Sequence, residues 1–247
     1  MLLNIAAYRF VAIDDAEALA QRVRTLAEAS ALRGSVLVAP EGINLFLAGE
    51  EASVRDFLRA LCDADARLRD LSVKESWSLS WPFARLKVKV KAEIIAFRRD
   101  DASPLTARAP SVDPRTLERW LEAGHDDEGR RLVLLDTRNR EEVQFGTFVG
   151  ATTLGIDNFI ELPAAVMSKR ENWQDATIVS FCTGGIRCEK ATLWMQQAGL
   201  DHVLQLDGGI LGYFGQVGGA GYDGRCFVFD ERVAVDPDLK PLVDPGH

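Results

Sequence analysis

The chain has 247 residues, 47% hydrophobic and 27% charged, a globular rather than a disordered composition with room for two ordinary domains. Its net charge of −8 excludes nucleic-acid binding by overall charge alone. No stretch approaches the ~20 apolar residues that span a bilayer. The opening MLLNIAAYRF reads as no secretory signal, and four scattered cysteines are too few for a disulfide scaffold, so a reducing, cytoplasmic setting away from membranes is expected.

The first hundred residues alternate short apolar runs with amphipathic helices. Asn4–Phe10 reads as a strand. Asp14 or Asp15 can cap a helix whose apolar face is Leu19, Val23, Leu26 and Ala27. Ser35–Ala39 and Ile43–Ala48 are strands joined by P-E-G. The next helix carries Val54, Phe57, Leu58 and Leu61, and strands follow near Leu71–Glu75 and from Arg85 to Phe97. The order β-α-β-β-α-β gives an amino-terminal ferredoxin-like α+β domain over residues 1–100, with helices on one face of an antiparallel sheet.

Residues 101–113 hold prolines and small residues without apolar periodicity and read as a linker. Pro114 then fits the first turn of a helix carrying Leu117, Trp120 and Leu121. From here the rhythm changes. Leu132–Leu135, Ile178–Phe181 and Val203–Leu206 are apolar runs with helical patterns between them. Strands apolar on both faces, alternating with helices, predict a parallel-sheet α/β domain over 114–222, followed by a tail, 223–247. Charge divides at a similar place. Residues 1–110 hold 16 Lys+Arg and 15 Asp+Glu, whereas 111–247 hold 13 and 22. An anionic partner is therefore sought on the first half.

The candidate reactive group is in F-C-T-G-G-I-R-C-E-K. Cys182 stands at the carboxyl end of a predicted strand, the sheet edge where ligands bind in open α/β folds. Thr183, Gly184, Gly185, Ile186 and Arg187 form the loop after it, and a helix is expected to start near Cys188. The glycines let backbone N–H groups turn towards the sulfur. The helix amino end and Arg187 add positive charge, and together these lower a thiol's pKa. Four residues separate Cys182 from Arg187, one fewer than in phosphatase-type loops, which favours sulfur chemistry over a tetrahedral phosphate. Cys188 is either a packed first-turn residue or a partner thiol for Cys182. Cys62 and Cys226 read as structural.

A second feature is the alternation Arg85, Lys87, Lys89, Lys91, with Arg98 and Arg99 following. In a strand the first four share a face. Residues 85–99 hold six cations against Glu93 alone, a local excess able to steer a phosphate backbone. Trp77, Trp81 and Phe83 lie close by for base stacking. The plain alternative is an exposed strand whose lysines block edge pairing, with the aromatics in the core. His125, His202 and His247 lack metal-ligand spacing, and no flavin, nicotinamide or iron motif is visible, so no metal site and no cofactor is identified.

C-T-G-G-I-R-C-E-K-A, with L-L-D-T-R-N before it and L-D-G-G-I after it, resembles the rhodanese superfamily. A-P-E-G-I-N followed by L-A-G, P-F-x-R-L-K-V-K-V-K-x-E-I and F-V-F-D-E-R narrow the resemblance to the bacterial rhodanese-domain tRNA uridine(34) hydroxylases, over nearly the whole chain. The resemblance implies a rhodanese-like second domain and oxygen-dependent formation of 5-hydroxyuridine at the wobble position. It implies molecular oxygen as co-substrate and the anticodon loop of tRNA as partner, with no obligate protein partner evident. The family's reactive, persulfide-bearing cysteine falls on Cys182, and its D-x-R element on Asp136 and Arg138. The chain departs from the family at Leu45 and Phe46, where small residues are usual. Glu141 and Thr147 stand where rhodaneses commonly have tyrosine and histidine. A persulfide-carrying sulfurtransferase and a non-catalytic RNA-binding module stay open as alternatives.

Overall fold

In the computed structural model, which describes residues 1–243, the alternating apolar residues of β1 (Leu2–Phe10) bury Leu3, Ile5 and Ala7 on one face. Helix α1 (Ala16–Ala29) follows, its first turn capped by Asp15, whose carboxylate accepts the Ala18 N–H at 2.9 Å. Such a cap stabilises by about 1 kcal/mol. Then come β2 (Arg33–Ala39), β3 (Gly42–Gly49), α2 (Glu51–Ala64), β4 (Ser72–Ser78) and β5 (Leu86–Val90). The sheet order is β4-β1-β3-β2-β5. Four strands pair antiparallel in the ferredoxin-like order, while β5 joins β2 in parallel, making the sheet mixed. Leu19, Val23 and Ala27 of α1 and Val54, Phe57 and Leu61 of α2 close one core with Leu3, Ile5, Val36, Val38, Ile43, Leu45 and Leu47.

The strand expected from Arg85 to Phe97 stops at Val90. Side chains replace the ladder beyond it. Glu41 Oε1 accepts the Ile94 N–H at 2.8 Å, and Asn44 Nδ2 donates to the Ile94 carbonyl at 3.3 Å. This first unit comprises Met1–Ala96, Phe229–Val233 and 240–243.

The second unit comprises Phe97–Val228 and Ala234–Leu239. Its five-stranded sheet is parallel throughout, in the order β6-β11-β10-β7-β9. The strands are β6 (Ser111–Val112), β7 (Arg131–Asp136), β9 (Thr152–Thr153), β10 (Ala176–Phe181) and β11 (Val203–Leu206). All six residues of central β10 are buried, as a strand covered on both faces requires. Strand β6 lies inside the stretch expected to be a linker, where Ala102 and Ala109 are buried. A two-residue strand shows no periodicity, so composition alone reads as a loop.

Helices α3 (Pro114–Ala123), α4 (Arg140–Val143), α5 (Leu162–Met167), α6 (Ile186–Gln197) and α7 (Gly209–Val217) connect the strands. Asp113 caps α3, and Gly124 ends it in the left-handed conformation at φ 78°. Two short pairs complete the unit, β8 (Gly146–Phe148) with β12 (Tyr222–Gly224) and β13 (Cys226–Phe227) with β14 (Ala234–Val235). The register sets Asp136 beside Phe181 at the carboxyl edge. His247 lies outside the described residues. Among those described, no helix is long and apolar enough to cross a membrane.

Candidate active site

Strand β10 ends where Thr137 satisfies the Phe181 carbonyl twice, through its N–H at 3.0 Å and its Oγ1 at 2.9 Å. Cys182 therefore leaves the ladder and enters the loop. Gly185 takes φ 97° and caps α6, so the helix starts at Ile186 rather than near Cys188. That conformation favours glycine. The Gly185 N–H donates to Cys182 Sγ at 3.2 Å, and the Arg187 N–H bonds the same sulfur. The Cys188 thiol, in the first turn of α6, donates to it as well. Both thiols are fully buried, and all four cysteines are free.

The L-D-G-G-I segment holds this loop from the other side. Ile210 and Leu211, at the start of α7, donate their N–H groups to the carbonyls of Cys182 and Thr183, each at 3.0 Å. Gly209 has φ 62°, and a Cβ there would sit 2.5 Å from the Cys182 carbonyl and 2.7 Å from the Gly185 nitrogen. Only glycine fits. The motif was visible in the sequence, but its clamp on the loop is a tertiary relation.

Arg187 does not aim solely at the sulfur. Its guanidinium forks onto Glu142, Nη1 to Oε1 at 2.5 Å and Nη2 to Oε2 at 2.7 Å. The Glu142 side chain is fully buried and the Arg187 side chain nearly so. Glu142 is the third residue of α4 and also caps it, accepting the Asn139 N–H at 3.0 Å. Sequence reasoning missed Glu142. The spacing Asn139-x-x-Glu142 signals a helix start, but nothing local marks the glutamate as a counter-ion to a residue 45 positions away.

Asp136 and Arg138 form a buried pair, with Nε on Oδ1 at 2.9 Å and Nη2 on Oδ2 at 2.6 Å. Arg138 Nη2 also reaches the Gly146 carbonyl at 2.6 Å, and Thr147 Oγ1 donates to Asp136 at 2.7 Å. This pair fixes the β7–β8 turn beside the cysteine strand, and Thr147 is part of it.

Burial alone would hold Cys182 neutral. The Cys188 thiol, the Arg187 charge and the N–H groups of Arg187 and Gly185 outweigh it and bring its pKa down to about 5. Burial, with Cys182 beside it, pushes Cys188 well up, so it is a donor and not a second thiolate. Burial also pushes Cys226 up to about 12. Burial opposes the Glu142 charge as well, but the Arg187 fork holds its carboxyl below the usual range. The result is one ionised thiol among neutral ones, at the sheet edge where substrates bind in such folds.

The six candidate RNA-contacting cations divide between the two units. Arg85, Lys87, Lys89 and Lys91 are exposed along edge strand β5 in the first unit. Arg98 and Arg99 belong to the second, where Arg99 pairs with Asp101 at 2.7 Å and lies 5.7 Å over the Trp194 ring. The alternation therefore marks four residues and not a run of six. Trp77 packs against the apolar core on the helix side, and Trp81 lies under the Arg33 guanidinium at 4.2 Å. Trp77 is thus removed from the stacking candidates.

Residues 2–94 match the UPF0176 acylphosphatase like domain, and residues 114–216 match the Rhodanese-like domain. A protein of Xanthomonas euvesicatoria pv. vesicatoria (strain 85-10) called tRNA uridine(34) hydroxylase is 64% identical, over 99% of this chain and 98% of its own length. One of Xylella fastidiosa (strain M23) bearing the same name is 59% identical, over 99% of this chain and 95% of its own.

Proposed function

The chain belongs to the tRNA uridine(34) hydroxylase family, and from that premise we propose that it oxidises the wobble uridine of tRNA to 5-hydroxyuridine through the Cys182 thiolate. The tRNA is the substrate, its anticodon loop the part that enters, and molecular oxygen the co-substrate. The observation that carries the reading is the Cys182 sulfur at the end of β10, held by the Gly185 N–H at 3.2 Å at the start of α6, a setting that with Arg187 lowers the thiol's pKa. At neutral pH that sulfur is a nucleophile. Uracil carbon 6 is electrophilic, and a thiolate added there makes carbon 5 nucleophilic towards oxygen; one oxygen atom of O2 ends on carbon 5, the other leaves as water with two electrons drawn from a thiol reductant, and loss of the carbon 5 proton expels the Cys182 thiolate.

Each remaining residue has a physical part in this reading. The N–H groups of Gly185 and Arg187 hold the sulfur, with Thr183, Gly184 and Ile186 completing the loop. Cys188 donates a hydrogen bond to it and keeps its own proton, and Arg187 with Glu142 fixes the helix start. Asp136 and Arg138 support the neighbouring turn. Arg85, Lys87, Lys89 and Lys91 meet phosphates.

The test is nucleoside mass spectrometry of tRNA from cells lacking the gene, rescued with wild type and with Cys182→Ser. Wild type alone should restore 5-hydroxyuridine. Unchanged nucleosides in the deletion, with no parallel route present, or rescue by the serine variant, would remove the reading. Rapid thiocyanate release from thiosulfate and cyanide without tRNA would favour a sulfurtransferase instead.

A further inference from the structure

The first unit's sheet has two unlike faces. Strand register places Lys74, Ala6, Phe46, Ser35 and Lys87 in one row across β4, β1, β3, β2 and β5. The next row is Ser72, Tyr8, Asn44, Leu37 and Lys89. These rows are out of phase with the apolar residues that meet α1 and α2, so they form the helix-free face. Phe46, Tyr8 and Leu37 are half-buried there. No aspartate or glutamate occupies a strand position on this face, whereas Lys74, Lys87, Lys89 and Arg33 do.

The late F-V-F-D-E-R segment returns to the same face. Arg232 Nη1 donates to Ser76 Oγ at 2.7 Å and is fixed by a fork onto Asp230. This anchors Phe229, which is 49% exposed, with its ring centroid 6.1 Å from that of Phe46. On the β4 side Lys74 Nζ sits 4.6 Å over the Tyr8 ring. Aromatic rings with Lys74 on one side and Lys87 and Lys89 on the other match an unpaired, stacked polynucleotide, whose bases are flat and apolar and whose backbone is anionic. A duplex hides its base faces and leaves such rings without a partner.

Asn4, Asn44, Ala48 and Ser76 of the helix-free face are buried, and its middle, around Ala6, Tyr8, Phe46, Ser35 and Leu37, is the part left open. We infer that this middle part is a base-stacking platform for single-stranded RNA, with Phe46 and Phe229 under the bases and Lys87 and Lys89 on the phosphates. It rests on the reading of the chain as a tRNA-modifying enzyme and names the surface that would hold the unpaired nucleotides.

The test uses the full chain and a fluorescein-labelled oligouridylate, read by anisotropy over a range of salt, with melting curves to establish folding. Phe46→Leu and Phe229→Leu keep apolar bulk and remove the π-face. Each should weaken binding about tenfold with the salt dependence unchanged. Lys87→Gln with Lys89→Gln should instead flatten the slope of log K against log salt by about 1.4. Photo-cross-linking of an oligonucleotide carrying 5-iodouridine should label the peptides that contain Phe46 or Phe229. Wild-type affinity in both folded leucine variants, or cross-links confined to other peptides, overturns the platform. So does a duplex that binds as tightly and loses as much affinity in the leucine variants. If the platform fails while the wild-type gene still restores 5-hydroxyuridine, the enzymatic reading stands without it. If oligouridylate binds as described and no 5-hydroxyuridine forms, the platform stands and that reading falls.

Discussion

At the scale of single residues the decisive quantity is where one proton sits. With Cys182 lowered to about 5, thiolate absorbance in the far ultraviolet should titrate with a midpoint near that value. The transition should vanish in Cys182→Ser, whereas a midpoint at the ordinary ~8.5 would refute the assignment. The linkage has a definite sign. A depressed folded pKa contributes stability in full above the unfolded thiol's pKa of ~8.5 and loses it as pH falls towards the folded value. The melting-temperature gap between wild type and Cys182→Ser should therefore widen from about pH 6 to about pH 8. Ionisation is not access. Because Cys182 has no exposed surface, iodoacetamide should modify it far faster than a bulky maleimide does, and equal rates would show an open site. Glu142→Gln leaves the Arg187 cation buried without its counter-ion. Breaking a buried pair in this way costs about 3–5 kcal/mol, which calorimetry would read as a marked fall in Tm.

At the scale of elements, two helix starts and one strand end build the loop. The α6 start turns N–H groups onto the sulfur, and the α7 start binds the loop carbonyls. Glycines in this region therefore differ in tolerance. Gly209→Ala places a Cβ against three backbone atoms of the cysteine loop and forces a left-handed φ, a strain of about 1–3 kcal/mol. It should lower Tm and move the thiolate midpoint upward. Gly184→Ala meets nothing within 4 Å and should leave both within error. If the two variants behave alike, the clamp by α7 is not what shapes the loop. The β10 strand and α6 were legible in the sequence because an apolar run and a helical pattern flank two glycines. The helix start was misplaced because Gly185 φ is set by the fold. The strand from Arg85 was overextended because the side chains that end it, Glu41 and Asn44, come from the turn and strand about fifty positions earlier.

At the scale of the molecule, the chain's last described segments return to both units. Phe229–Val233 belongs to the first and Ala234–Leu239 to the second. Truncation after Val228 removes Arg232 from Ser76 in one unit and β14 from β13 in the other. Losing the buried Val235 alone forfeits about 1.5–3 kcal/mol. The truncated chain should melt at a lower temperature, and an unaltered transition would show the tail to be dispensable. Charge also acts at this scale. A protein of net charge −8 binds an anionic polymer only through local excess; if the four cations on and beside β5 are that excess, as proposed, binding should weaken steeply with salt.

By itself the sequence determined the two halves, the alternation of strands and helices in each, the family, and the cysteine at a strand end. These follow from periodicities and motifs written within a few adjacent residues. Tertiary structure alone decided that Glu142 neutralises Arg187, that Gly209 must lack a side chain, that Cys188 touches Cys182, and that Phe46 and Phe229 share a face while Trp77 packs against the core on the other. Each of those is a contact between positions distant in the chain or a choice between two faces, and the free energy of burial and ion pairing that fixes them exists only once the chain has folded.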